Sequence, residues 1–146
     1  MATILARVED DYKQALKAGD RLRVDTLRLI KAGVQKAAID KRKDSLDDQE
    51  VIQVLSQQAK QRRETIEAAK QSSREDVLSQ TTKELAILTS YLPEQLSEAE
   101  VGALIDAAIA EVGRQQGAIM KHVMAKTAGR ADGKTVSALV AKKLQS

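Results

Sequence analysis

The sequence has no cysteine, phenylalanine or tryptophan, and only one proline and one histidine in 146 residues. Without cysteine there is no disulfide framework, no thiol nucleophile and no thiolate metal site. A reducing compartment suits such a chain, and cytoplasmic placement is expected. His122 stands alone, so no histidine cluster exists for zinc. Its sequence neighbours Lys121 and Met124 supply neither a carboxylate nor a nucleophile for acid–base work. Asp47-Asp48-x-Glu50 lacks the spacing of a calcium loop. The start, Met1 to Arg7, has no basic segment leading into an apolar run, so it does not read as a signal peptide. No apolar stretch approaches the ~20 residues needed to span a bilayer. The expectation is a chain with no metal, no cofactor, no catalytic residue and no membrane partner.

What the chain does have is aliphatic. Hydrophobic residues make up 42% and charged residues 31%, while Tyr12 and Tyr91 are the only aromatics. A core of Leu, Ile, Val and Ala suits helix–helix contacts, and the aromatics that favour strands are missing. The predicted fold class is all-α. The length allows one domain or two small subdomains.

Pro93 punctuates this helical text. Proline removes an amide donor and pushes Leu92 out of the α region, while Ser97-x-x-Glu100 has the pattern of a capping box at a new helix start. The expected organisation is a helical N-terminal part, residues 1–92, and a small three-helix C-terminal bundle, residues 93–146. Pro93 is the expected hinge that sets the angle between them.

Before the break, a first helix is predicted from about Thr3 to Ala18, closed by Gly19. Asp20 then caps a second, Arg21 to Asp40. Its apolar stripe reads Leu22, Thr26, Leu29, Ile30, Gly33, Val34 and Ala37. Gly33 is unfavourable in a helix interior by about 1 kcal/mol against alanine, which a close helix crossing would offset. Asp47-x-x-Glu50 resembles a capping box for a third helix, whose stripe Gln58 and Arg62 interrupt. Ser72-x-x-Glu75 is read as the cap of a fourth. The even spacing of Asp47, Ser72 and Ser97 suggests a repeat, but the stripes between them do not match, so equal helix lengths explain it.

After the break, Val101, Leu104, Ile105, Ala108, Ile109 and Val112 give an apolar face to a fifth helix ended by Gly113. A sixth is predicted over about Ala118 to Ala128, stopped by Gly129. A seventh runs from Gly133 to about Leu144, capped by Asp132.

The run Gly129-Arg130-Ala131-Asp132-Gly133-Lys134-Thr135 opens that last helix on Gly-Lys-Thr. A phosphate-binding loop has four residues between its glycines and follows a strand; here three intervene after a helix. Nucleotide hydrolysis is not expected. Exposed amides at a helix start, flanked by Arg130 and Lys134, still suit a phosphate. A tight inter-helix turn explains the glycines and Asp132 without demanding either base. From Arg114 onward, seven Lys and Arg residues face Asp132 alone. A second basic cluster, Arg21, Arg23, Arg28, Lys31, Lys36 and Lys41 to Lys43, is offset only by Asp25 and Asp40. Such surfaces bind phosphate backbones, and solvated helix faces are the plain alternative. The scarcity of aromatics argues against stacking single-stranded bases and favours a folded RNA held by shape and backbone.

Tyr91-Leu92-Pro93-Glu94-Gln95-Leu96-Ser97-Glu98 resembles a signature of the GatB/YqeY family. Met120-x-x-Val123-Met124 with Gly129 to Lys134 resembles a second, and the segment Arg23 to Lys31 is similar as well. The likeness covers essentially the whole chain, which is identified as a stand-alone YqeY-like member. Lys121 and His122 stand where many members have a small Gly followed by Lys. In this family a related domain forms the tail of the B subunit of tRNA-dependent amidotransferase, where it helps hold tRNA. The resemblance therefore implies a non-catalytic module binding tRNA or another structured RNA. Arg130 and Lys134 would contact phosphate, supported by Lys121, Lys126, Lys142 and Lys143. The alternatives are an adaptor docking on an amidotransferase or translation enzyme, or an accessory subunit of a carbon–nitrogen ligase using glutamine as amido-nitrogen donor. The chain lacks the catalytic domain of that enzyme.

Overall fold

The computed structural model of the chain describes residues 3–127 and 130–145, which form seven helices and no strand. The all-α expectation holds. The stop assigned to Gly129 and the end assigned to Ala128 lie outside the described residues. The chain divides into two compact units, Met1–Leu92 and Pro93–Ser146.

The first unit contains α1 (Ile4–Ala18), α2 (Arg21–Asp40), α3 (Asp48–Gln71) and α4 (Glu75–Ser90). Thr3 is the cap of α1, not its first turn: its hydroxyl accepts from the Ala6 amide at 3.0 Å. Gly19 takes the left-handed conformation (φ 70°), and the Gly19 and Asp20 amides return to the last carbonyls of α1. Asp20 then accepts from the Arg23 amide at 3.2 Å, so a two-residue turn ends one helix and starts the next.

Helix α2 packs against α1, α3 and α4. Its buried residues are Val24, Thr26, Leu27, Ile30, Val34 and Ala38. Leu29, expected inward, is half exposed, while Val24, Leu27 and Ala38 were absent from the predicted stripe. A single-stripe reading assumes one neighbour; three neighbours rotate and widen the buried arc.

At Gly33, α2 and α3 come close. A Cβ there would overlap the Gln58 amide nitrogen and approach Val54 Cγ1 to 3.1 Å. The missing side chain lets Gln58 Nε2 donate across the gap to the Leu29 carbonyl at 3.0 Å. Arg62, a turn further on, meets Glu84 of α4 at 3.2 Å, with both side chains largely covered. The two polar residues that interrupt the α3 stripe are therefore its cross-links to neighbouring helices.

The α2–α3 loop is tied down from both ends. Asp47 and Glu50 form a complete capping box. Lys41 and Lys43 converge on the same Glu50 carboxylate at 3.1 and 2.9 Å. These bonds, led by that from Lys43 and followed by the Asp47 amide, hold the Glu50 carboxyl down to about 2. Leu46 is buried within the loop.

The expected cap at Ser72 does not form. Ser72 ends α3, and its hydroxyl donates back to the Ala68 carbonyl at 2.9 Å. Ser73 turns the chain at φ 57°, and Arg74 occupies the N-cap position of α4 without a side-chain cap bond. The turn consumes two residues, so the serine that matched the box pattern sits on the wrong side of it.

The second unit contains α5 (Glu98–Val112), α6 (Gln116–Thr127) and α7 (Gly133–Leu144). Ser97 and Glu100 form the predicted capping box. Val101, Ile105, Ala108, Ile119, Val123, Val136 and Val140 make a core in which each helix contributes a stripe. Val112, the last residue of α5 and the end of the predicted face, is 39% exposed. Helix α6 begins two residues earlier than predicted, at Gln116.

Candidate functional site

The connection into α7 is held to the loop before α5. The Leu96 amide donates to the Arg130 carbonyl at 2.7 Å, and Arg130 Nε donates to the Glu94 carbonyl at 3.0 Å. Arg130 thus clasps the segment just after Pro93, joining two stretches that lie 36 residues apart. Its charge also reaches Glu100, whose carboxyl is lowered first by the Ser97 amide and hydroxyl and then by Arg130. Arg130 remains exposed, so part of its guanidinium faces solvent, but its position is fixed by structural bonds. Asp132 takes the N-cap position of α7 and accepts from the Thr135 hydroxyl at 3.3 Å, not from a first-turn amide.

The other expected phosphate contacts separate into groups. Lys134, in the first turn of α7, is exposed, as are Lys121 and Lys126 on α6. On α7 the inward residues are Val136 and Val140, and at about 100° per residue Lys134 and Lys142 fall on the outer side, roughly 12 Å apart along the axis. Lys142 is exposed. Lys143 turns towards α5 instead: it pairs with Asp106 at 3.0 Å, and its chain passes 3.7 Å from where a Gly102 Cβ would stand. Gly102 gives that lysine its path. Lys121 lies opposite the Ile119–Val123–Thr127 stripe of α6, whereas Lys126 flanks it. The six residues share the α6–α7 half of the unit without forming one flat face.

Sequence reasoning missed the partner of His122. Its Nε2 lies 3.2 Å from Glu111 Oε2, a carboxylate on the neighbouring helix that no local spacing reveals. No nucleophile is part of that pair. Among the described residues, no group of three or more His, Cys, Asp or Glu is placed to hold a metal, and no helix is long and apolar enough to cross a membrane.

The second basic cluster, in the first unit, is largely engaged. Lys31 reaches Glu9 at 3.3 Å and lies over the Tyr12 ring, Arg28 donates to the Tyr12 hydroxyl at 3.2 Å, and Lys41 and Lys43 hold Glu50. Tyr91 is buried here and donates its hydroxyl to Asp11, with Arg7 against its ring. Burial first, and then Asp11, push Tyr91 up to about 12, and Arg23 lies beside it as a smaller opposing influence. Two of the resembling segments, Arg23–Lys31 and Tyr91–Glu98, therefore meet at Tyr91, and Arg130 of a third meets the second at Glu94 and Leu96.

These features define an all-helical protein of two small units, the second of which carries its acids mainly on α5 and its bases from Arg114 onward. The chain belongs to the YqeY-like protein family, whose description it matches over residues 5–144. It is similar to proteins named "Altered inheritance of mitochondria protein 41, mitochondrial" from three fungi. The Lachancea thermotolerans protein is 29% identical over 74% of this chain and 59% of its own length. The Pyrenophora tritici-repentis protein is 28% identical over 97% of this chain and 79% of its own. The Eremothecium gossypii protein is 30% identical over 79% of this chain and 64% of its own. The chain thus spans under two thirds of two of these relatives.

Those names overturn the cytoplasmic expectation, because the relatives are mitochondrial proteins. The physical reason is plain. Absence of cysteine is compatible with any reducing interior, and an apolar leader bears on export alone.

Proposed function

We propose that this chain is a non-catalytic module that binds tRNA or another folded RNA through the cations of α6 and α7. The supporting observation is the segregation of charge: from Arg114 onward seven cations face only Asp132, and Lys121, Lys126 and Lys134 are exposed. Lys134 stands beside the opening amides of α7, a place where a phosphate gains from both the helix start and the ammonium. Arg130 contributes through its field and its outer nitrogens while its Nε holds the Glu94 carbonyl. Lys143 is the weakest contributor, since binding through it competes with Asp106.

Equilibrium binding to tRNA over a salt series tests the reading. Each phosphate contact removed should flatten the slope of log K against log salt by roughly 0.7 to 0.9. Lys134→Ala and Lys126→Ala are expected to weaken binding at every sequence tested. Lys143→Ala should change little. Binding no stronger than that of a neutral control protein at low salt would end the proposal.

A further inference from the structure

Helix α2 buries Val24, Leu27, Ile30, Val34 and Ala38 in the first unit, yet its opposite side is also partly apolar. Leu29 is 50% exposed and Ile39 67%, two large aliphatic side chains of one helix that the unit leaves in solvent. They belong to a longer stripe. Leu22, Asp25, Leu29, Ala32, Lys36 and Ile39 follow one another at alternating steps of three and four residues, the spacing of a coiled-coil seam. Leu22 is half-buried and the other five are exposed. Such a stripe drifts only ~20° per heptad, so it stays on one side of α2.

Spacing alone names no partner; the order of residues along the stripe does. With a second copy of α2 laid antiparallel and the two-fold axis between Ile30 and Lys31, Leu29 faces Ala32 of the second copy, and Ala32 faces its Leu29. A large side chain thus meets a small one twice. Asp25 faces Lys36 of the second copy and Lys36 faces its Asp25, giving two layers of opposite charge. At the ends, Leu22 and Ile39 meet reciprocally. Every layer is complementary in this one register, as the self-matching interface of a two-fold dimer requires. A parallel pair in register would set Asp25 against Asp25 and Lys36 against Lys36. Within one chain Asp25 and Lys36 are about 16 Å apart along α2, too far to pair with each other. Asp25 lies 3.9 Å from Arg28 instead, with both side chains more than half exposed, a contact worth little in water.

We infer that the exposed seam of α2 is the interface of a homodimer in which the α2 helices of two copies pack antiparallel. The occupant is a second copy of this chain because the charges of the stripe complement themselves when the direction is reversed. The seam spans about 26 Å of helix. Arg21 approaches Arg42 of the second copy at the rim, where salt screens the repulsion. The dimer is therefore weak and concentration-dependent, and it uses none of the residues assigned to RNA.

The test is sedimentation equilibrium of the nuclease-treated full chain at low salt, from low micromolar to millimolar concentration. A monomer–dimer equilibrium is expected. Asp25→Lys and Lys36→Asp each turn both charged layers into like-charge contacts, and each should weaken association at least about tenfold. Mixed in equal amounts, the two variants should associate with each other, because every charged layer of that heterodimer is again an opposite pair. The double reversal Asp25→Lys/Lys36→Asp should self-associate to within about threefold of the original chain. Both positions are exposed, so helical circular dichroism should be unchanged in all three variants. A monomer at every concentration overturns the inference. So do single reversals that dimerise as well as the original chain, or a mixture and a double variant that stay monomeric.

Discussion

The two units handle their cations in opposite ways. In the first, Lys31, Lys41, Lys43 and Arg62 each lie against a carboxylate from another helix or the far side of a loop. In the second, the acids are concentrated on α5 and the bases on α6 and α7; Lys143 crosses to Asp106 while Lys121, Lys126 and Lys134 stay exposed. Lysine and arginine thus serve as scaffolding at those positions of the first unit and as an accessible field at these positions of the second. The difference lies in where carboxylates fall in three dimensions, and it is the reason the proposed function rests on the second cluster.

The largest effects should come from the cores. Leu27→Ala in the first unit or Ile105→Ala in the second removes a fully buried side chain and should cost about 2–5 kcal/mol. Amide hydrogen exchange should locate each loss within the unit carrying the substitution; loss of protection spread evenly over both would erase the distinction between them. Next come the two serines of the same local pattern. Ser97→Ala removes a true N-cap and should destabilise by about 1 kcal/mol, whereas Ser72→Ala removes only a hydroxyl bonded to the preceding helix and should cost well under that. Denaturant titration of both variants sets the order, and a larger loss at Ser72 would contradict the assignment.

The smallest expected effect concerns acid. The Glu50 carboxyl is lowered to about 2, so the folded first unit holds fewer protons on it than the unfolded chain does. Its contribution is complete above the ordinary carboxylate range and fades as pH falls from about 4.5 towards 2. Glu50→Gln should flatten that part of the stability-against-pH curve, and the Glu50 carboxyl signal in NMR should titrate near 2. An unchanged curve would show that the two lysines contribute nothing in solution.

Much of the fold was legible because it is written locally. Helix α2 spans Arg21–Asp40 as its cap and periodicity indicate, α7 spans Gly133–Leu144 as its periodicity indicates although Asp132 makes no side-chain cap bond, and the boxes at Asp47 and Ser97 form. The errors share one cause. Ser72 matched the box pattern but lies on the wrong side of a turn, and Leu29 matched a stripe that three neighbouring helices rotate away from it. Leu46, in the loop between α2 and α3, joins the core, which no local pattern indicates. The candidate site was legible as composition, since the charge run from Arg114 is visible in the sequence, but not as geometry. The Glu94–Arg130, Asp106–Lys143 and Glu111–His122 pairs each join separate segments of the chain.

The amino-acid order by itself determined that this chain is helical, where most helices begin and end, and that it breaks at Pro93, because propensities, caps and proline act within a few residues. It also carried the family signatures. Tertiary structure alone decided which cations are spent on carboxylates, which polar residues of α3 become cross-links, and that Arg130 holds the loop after Pro93. Those outcomes depend on which helix faces meet, and short-range backbone energetics does not specify that.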